Sequence, residues 1–252
     1  MRKSLQKLVV VFSFFLSTMG LSNPPEQVIK FVTEATYPPF VSMDVQGKMG
    51  GFETELVKNI CEKGNLNCEF YHRPFDSLFP SLALKKMDAV YGCIGITESR
   101  KSEVVFSKPL YTGSVGFISA IQKEPLGKEY FNHKTVAIQQ GSVTFEKYLK
   151  QHYPGIKIKT YGSIQDALLD LSTHRVDAVF GDTPVFKYWI KNKNQISFSL
   201  YEISQDELAS LSEGNAIAMR KEDKEIIDKI NAAFDDLVKD GTVDKLKKQY
   251  LE

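Results

Sequence analysis

No stretch of this chain is apolar for long enough to cross a bilayer as a helix. The longest run, Leu8–Leu16 (LVVVFSFFL), covers nine residues, where a span needs about 20. An excess of charge of one sign is lacking too, with 32 Lys plus Arg against 31 Asp plus Glu. That balance excludes a large basic field for gripping nucleic acid, and no nucleic-acid partner is expected. Cysteine is scarce, three in 252 residues with no CxxC pair, and the four histidines lack HxxxH spacing. GxSxG and P-loop patterns are absent as well, so no catalytic set, metal site or cofactor is expected. The composition, 42% hydrophobic and 25% charged with 16 Gly and 10 Pro, excludes disorder, collagen-like structure and low-complexity repeats.

What is present begins with an export signal. Arg2, Lys3 and Lys7 precede the apolar run and small residues follow it. The pattern predicts a signal peptide over residues 1–22, cleaved after Gly20 or Ser22, against the plainer reading of a buried N-terminal helix. No Cys lies near the cleavage point, so no lipid anchor is expected and the mature protein is placed free in the periplasm. Export permits disulfides. Cys61 and Cys68, at a predicted helix end and strand start, would if bridged pin the turn through Gly64-Asn65. Cys93 is left over in an apolar strand-to-turn segment, where a small packed core residue is its plain reading.

Periodicity predicts strands and helices in alternation. The strands are Val28–Thr33, Cys68–His72, Asp88–Tyr91, Thr135–Gln139, Ile156–Thr160 and Asp177–Phe180. The helices are Glu53–Lys63, Asp76–Lys86, Thr144–Gln151, Ile164–His174, Lys224–Lys239 and Val243–Tyr250. A weak repeat runs through them: Met87-Asp88-Ala89-Val90-Tyr91-Gly92 recurs as Val176-Asp177-Ala178-Val179-Phe180-Gly181, each copy after an amphipathic helix. The fold class is therefore α/β, with two similar lobes that each carry a mostly parallel sheet flanked by helices. Ligands of open α/β sheets sit at the carboxyl ends of strands, so the cleft between the lobes is the expected site.

Two helix starts look suited to an anion. Thr97-Glu98-Ser99-Arg100 puts an N-cap hydroxyl three residues ahead of a guanidinium, which can grip a carboxylate with two bonds. Gly141-Ser142-Val143-Thr144 opens a helix just after a strand ends at Gln139. Ordinary capping is the plain alternative for either. Tyr37 stands in a loop stiffened by Pro38 and Pro39, and Phe75 precedes a helix start, so both rings can serve as stacking walls. Glu34 and Asp182 lie near strand ends, although Asp182 could instead cap the helix near Pro184.

With those pieces in order, the chain resembles the periplasmic amino-acid-binding proteins of ABC importers, in the polar and basic amino-acid branch. The resemblance runs from about Ile29 to Leu251. It rests on YPPF at 37–40, GGFETELVKNIC at 50–61, FDSLFPSL at 75–82 and KMDAVYGCIGITESR at 86–100. FSKPLY at 106–111, IQQGSVTFEKYL at 138–149, RVDAVFGDTP at 175–184, NAIAMRKED at 215–223 and DGTVDKLKKQYL at 240–251 complete it. It implies a type II binding-protein fold whose lobes, 26–113 plus 214–252 and 114–213, are joined by two hinge strands near Tyr111–Phe117 and Ser212–Ala216. The Cys61/Cys68 spacing is similar to a disulfide of some basic-amino-acid binders.

By position, the resemblance implies that Arg100 clamps a ligand α-carboxylate, with help from backbone N–H groups near Cys93 and Val143. Asp182 would take the α-ammonium, Tyr37 and Phe75 would sandwich the side chain, and Glu34 would meet its far end. Gln139 would line the second wall, and Gly92, Gly95, Thr97 and Ser142 complete the set. The chain departs from the family pattern at Cys93, Gly95 and Val143, where relatives carry Gly or Ser, a hydroxyl, and Thr. Arginine is the first expected ligand, then lysine or ornithine, then glutamine. A membrane ABC permease is the expected partner and a monomer the expected state. The rival is a periplasmic dehydratase of prephenate or arogenate on the same fold, for which Glu34, Asp182 or Glu55 would be the nominated acid.

Overall fold

The computed structural model describes residues 27–120, 127–192 and 198–252. The expected signal peptide, residues 1–22, lies outside them. The chain opens with β1 (Ile29–Thr33), a small hairpin sheet of β2 (Thr36–Tyr37), β3 (Val41–Met43) and β4 (Met49–Gly50), α1 (Phe52–Lys63) and β5 (Cys68–His72). A 3-10 turn at Phe75–Ser77 leads into α2 (Leu78–Ala83), followed by β6 (Ala89–Val90), α3 (Glu98–Lys101) and β7 (Val104–Phe106). Next come β8 (Val115–Ser119), β9 (Thr135–Gln139), α4 (Val143–His152), β10 (Lys157–Tyr161), α5 (Ile164–Ser172), β11 (Ala178–Asp182), α6 (Thr183–Lys191), β12 (Ser199–Glu202) and α7 (Gln205–Leu211). β13 (Ala218–Arg220), α8 (Lys224–Lys239) and α9 (Thr242–Tyr250) close the chain.

Two five-stranded sheets result, ordered β5-β1-β6-β13-β7 and β10-β9-β11-β8-β12. In each, the first three strands run parallel and the fourth runs against its neighbours. This is the expected pair of lobes. The fourth strands, β13 and β8, are where the chain arrives after crossing from the other sheet, once through residues 107–114 and once through 212–217. Asn215 bridges both Tyr111 and Gly95 there, so the two crossings touch.

Alternation along the strands explains why both sheet faces are covered. In β1, Phe31 packs beneath α1 and α8, while Val32 faces the cluster of Leu78, Leu82 and Met87. In β11, Val179 joins Ile164, Leu168 and Phe186, while Ala178 and Phe180 join Tyr148, Leu149 and Leu208. α8 buries Ile227, Ile230, Ala233, Phe234 and Leu237, a stripe at helical spacing. Cys61 and Cys68 are bonded, tying the end of α1 to the edge strand β5. Two expected helices are shorter than their patterns. The 164–174 segment stops at Ser172. The 76–86 segment begins as a 3-10 turn and stops at Ala83, because Lys85 takes a φ of +56°.

Candidate functional site

A cavity with an empty volume of about 830 Å³, its open mouth included, lies between the two sheet units. The first unit lines it with Glu34 and Tyr37 from the loop after β1 and Phe75 from the 3-10 turn after β5. Gly92, Cys93 and Gly95 follow from the turn after β6, with Thr97 and Arg100 around α3. The second unit adds Gln139 at the end of β9, Ser142 before α4 and Asp182 at the end of β11. These are strand carboxyl ends, where an open α/β sheet leaves a crevice. Of the residues expected to contact the ligand, Val143 alone is absent from the wall. It is 69% exposed at the first position of α4, one residue before the predicted start, while Thr144 and Phe145 line the cavity.

Arg100 carries a charge without an acidic partner. Its Nη1 donates to the Gly95 carbonyl at 3.0 Å, and its guanidinium lies 4.9 Å from the Phe79 ring centre. Among the described residues it forms no salt bridge. Loss of hydration lowers its pKa to about 10, still far above neutrality. Thr97 caps the start of α3, accepting the Arg100 amide at 3.2 Å. α3 is a single turn, so the anion-holding helix start expected there reduces to the guanidinium itself.

Two buried acids oppose that cation. Asp182 stands at the cap position of α6 but makes no side-chain cap. Its Oδ2 accepts the Tyr37 hydroxyl at 2.6 Å, a bond between the two units. Burial pushes Asp182 up to about 6, against the pull of that hydroxyl. Tyr37 is pushed well above its usual range by burial first and by the Asp182 charge second. Glu34 accepts the Gln139 amide at 2.8 Å, again across the units, and the Thr36 hydroxyl. At the rim, Gln140 Nε2 donates to Asp76 Oδ2 at 2.7 Å. These three side-chain bonds link the two units around the cavity.

Among the backbone donors expected near Cys93 and Val143, the Gly92, Cys93 and Val143 amides are engaged within the protein. The Gly92 and Cys93 amides donate to Glu53, at 2.9 and 3.0 Å, and the Val143 amide donates to the Gly141 carbonyl at 2.9 Å. They cannot also receive a ligand carboxylate. The first bond within α4 runs from the Glu146 amide to the Ser142 carbonyl. The Thr144 and Phe145 amides precede it, in the turn that a helix leaves unsatisfied. Cys93 both lines the cavity and packs on the core. Burial, then the Glu53 and Asp182 charges, push its thiol well above the usual range, which makes it a poor nucleophile. Glu55, nominated as an acid, lies on the α1 surface in a 2.8 Å salt bridge with Lys58.

Sequence reading missed several contributors. Glu53 sits on the buried stripe with Leu56, Val57, Ile60 and Cys61; an acid at i of an i, i+3, i+4, i+7 apolar pattern is the signal. Leu208 and Leu211 line the cavity from α7, a helix announced by the Ser204-x-x-Glu207 capping box. Asn215 and Ser212 line it from the returning crossing, where nothing local marks them. Among the described residues no group of His, Cys, Asp and Glu is placed to hold a metal ion.

Known proteins place this architecture. The bacterial extracellular solute-binding proteins, family 3, match over residues 29–252. The ABC transporter arginine-binding protein 1 of Escherichia coli K12 is 33% identical, over 98% of this chain and 99% of its own length. A Salmonella typhimurium periplasmic binding protein with high arginine specificity superposes with a TM-score of 0.82 at 29% identity, over 90% of this chain and 100% of its own. An ancestral arginine-binding protein bound to glutamine gives 0.79 at 32% identity, covering 88% of this chain and 97% of its own. Together with the twin sheets and the cavity between them, the match shows that the chain belongs to the bacterial extracellular solute-binding proteins of family 3.

Proposed function

We propose that this chain is an exported receptor that captures a free amino acid, arginine by preference, and hands it to an ABC permease in the membrane. The observation that carries this reading is the charge arrangement on the cavity wall. Arg100 has no carboxylate partner, while Asp182 and Glu34 are met only by neutral donors. Desolvated charges of this kind call for counter-charges. One cation and two acids complement the carboxylate, the ammonium and the cationic side chain of arginine. Tyr37 and Phe75 on the same wall offer ring faces to a planar guanidinium, each contact contributing about 0.5–2 kcal/mol. Lysine and ornithine satisfy the same charges without the planar group, and glutamine leaves Glu34 opposite a neutral amide.

In this reading residues 26–113 with 214–252 form one lobe and 114–213 the other. They close on the ligand about the two crossings, and the closed monomer is what the permease recognises. No helix among the described residues is long and apolar enough to cross a membrane, which accords with a periplasmic receptor. Thermal unfolding of the mature protein against the twenty amino acids and ornithine tests the reading. Ligand at 100 times its dissociation constant stabilises by about 2.7 kcal/mol, and the expected shift is largest with arginine. A shift with glutamine alone would overturn the side-chain assignment. Silence across the panel, with a shift on prephenate, would replace the receptor by an enzyme.

A further inference from the structure

Behind the cavity wall lies an acid that lines no part of it. Glu53, in the first turn of α1, is fully buried, and its two oxygens take the Gly92 and Cys93 amides at 2.9 and 3.0 Å. Those two residues form the wall-lining turn after β6, with φ values of +103° and +51°. At Gly92 a Cβ would meet Thr33 Oγ1 at 2.4 Å, and Cys93 holds a left-handed conformation that side chains other than Gly adopt reluctantly. A carboxylate accepts both amides at once. A protonated carboxyl turns an O–H donor toward one of them and loses that bond.

The titratable groups around Glu53 are Cys93, Asp182, Tyr91 and Tyr111, and none is a cation. Burial pushes Glu53 up to about 7, the two amides and Cys93 pull it down, and the Asp182 charge adds to the rise. A ligand ammonium beside Asp182 would offset that last contribution and favour the ionised form of Glu53.

We infer that Glu53 is a positioning residue that couples ligand capture to the protonation state of the receptor. Ionised, it holds the Gly92–Cys93 turn in the geometry that lines the site; protonated, it releases one amide and weakens capture. The inference rests on the reading of the cavity as an amino-acid site. Because binding favours the ionised form, affinity rises with pH through neutrality.

The test is arginine affinity between pH 5.5 and 8.5 for the wild type and Glu53→Gln. Glutamine resembles the protonated acid, and the ratio of the two affinities removes the part of the Asp182 titration that does not depend on the Glu53 charge. Near-equal affinities at pH 5.5 are expected, with a wild-type advantage growing to about tenfold or more at pH 8.5, as loss of one charge-assisted bond implies. The order of preference among amino acids should not change. A ratio independent of pH overturns the inference. NMR of wild type labelled with 13Cδ-glutamate needs neither variant nor ligand: one glutamate titrating near neutrality is expected, and none above pH 6 overturns it. Absence of arginine binding at every pH would sink the functional reading, and the coupling with it, whatever that resonance shows.

Discussion

The two sheet units share one strand order and part company at the residue that follows the repeated motif. In the first, Ala89-Val90 leaves the sheet through Tyr91 into the left-handed Gly92–Cys93 turn, which the buried Glu53 holds from behind. In the second, Ala178-Val179-Phe180 continues as strand through Gly181 to Asp182, because Gly181 and Asp182 pair with Gly116 and Val115 of β8. The same pattern of residues takes two backbone courses, decided by what lies beside it: a carboxylate in one lobe, a neighbouring strand in the other. The consequence reaches the site. The first lobe fixes its half through its own contacts, namely Glu53, the Thr97 cap under Arg100 and the Cys61–Cys68 bond. The second lobe's polar residues, Asp182 and Gln139, are held by partners from the first, Tyr37 and Glu34.

The contrast can be broken most severely at Arg100, the one cation of the prebuilt half. Arg100→Ala should weaken amino-acid binding by about 30-fold or more, since removing one member of a desolvated charge pair costs about 2–5 kcal/mol. The half-buried side chain bears little of the core, so circular dichroism and the unfolding midpoint should change little. Unchanged affinity would show that Arg100 is not the clamp. Next comes the disulfide. Its loss through Cys61→Ser with Cys68→Ser should lower stability by about 2.5 kcal/mol for so short a loop, read by denaturant unfolding. Arginine affinity should stay within about twofold, because the bond lies at the far edge strand.

A third test addresses the second lobe's dependence on the first. Glu34→Gln removes the charge that faces a basic side chain while keeping a partner for Gln139. Arginine affinity should fall about tenfold or more, and glutamine affinity should hold or rise, as competition titrations would show. A fourth test needs only the ligand-free protein. Glu53 and Asp182, one in each lobe, are pushed up by burial to about 7 and about 6. Acids raised in this way favour the folded state while they stay protonated, and that contribution is lost as pH rises from about 4 toward 7. The unfolding free energy should therefore fall, on the order of 4 kcal/mol, between pH 5 and pH 8. Glu53→Gln should remove part of that slope, and a stability that rises over the same range would contradict the burial of both acids.

Much of this was legible in the chain itself, and the reason differs by element. Helices such as α8 carry a full apolar stripe, so their bounds follow from local spacing. Glu34, Tyr37, Phe75, Arg100 and Asp182 stand next to strand ends or caps, which local pattern also marks. The short strands β13 and β8 gave no such signal, since each is defined by pairing with residues far along the chain. Direction of hydrogen bonding was equally hidden. Nothing in Gly92-Cys93 announces that its amides face an acid 39 residues earlier, and so their engagement by Glu53 was not foreseen. Val143 stands off the wall for a simpler reason: successive helix side chains point about 100° apart, and Thr144 and Phe145 take the cavity side.

Three charges on the wall, each without a counter-charge, should select a ligand carrying three of the opposite kind. Calorimetric titration with arginine and with analogues that each lack one charge tests it most directly: agmatine without the carboxylate, 5-guanidinovalerate without the ammonium, citrulline without the side-chain cation. The account predicts that arginine binds and that each analogue is weaker by about tenfold or more, with agmatine and 5-guanidinovalerate weakest. Agmatine binding as tightly as arginine would contradict it.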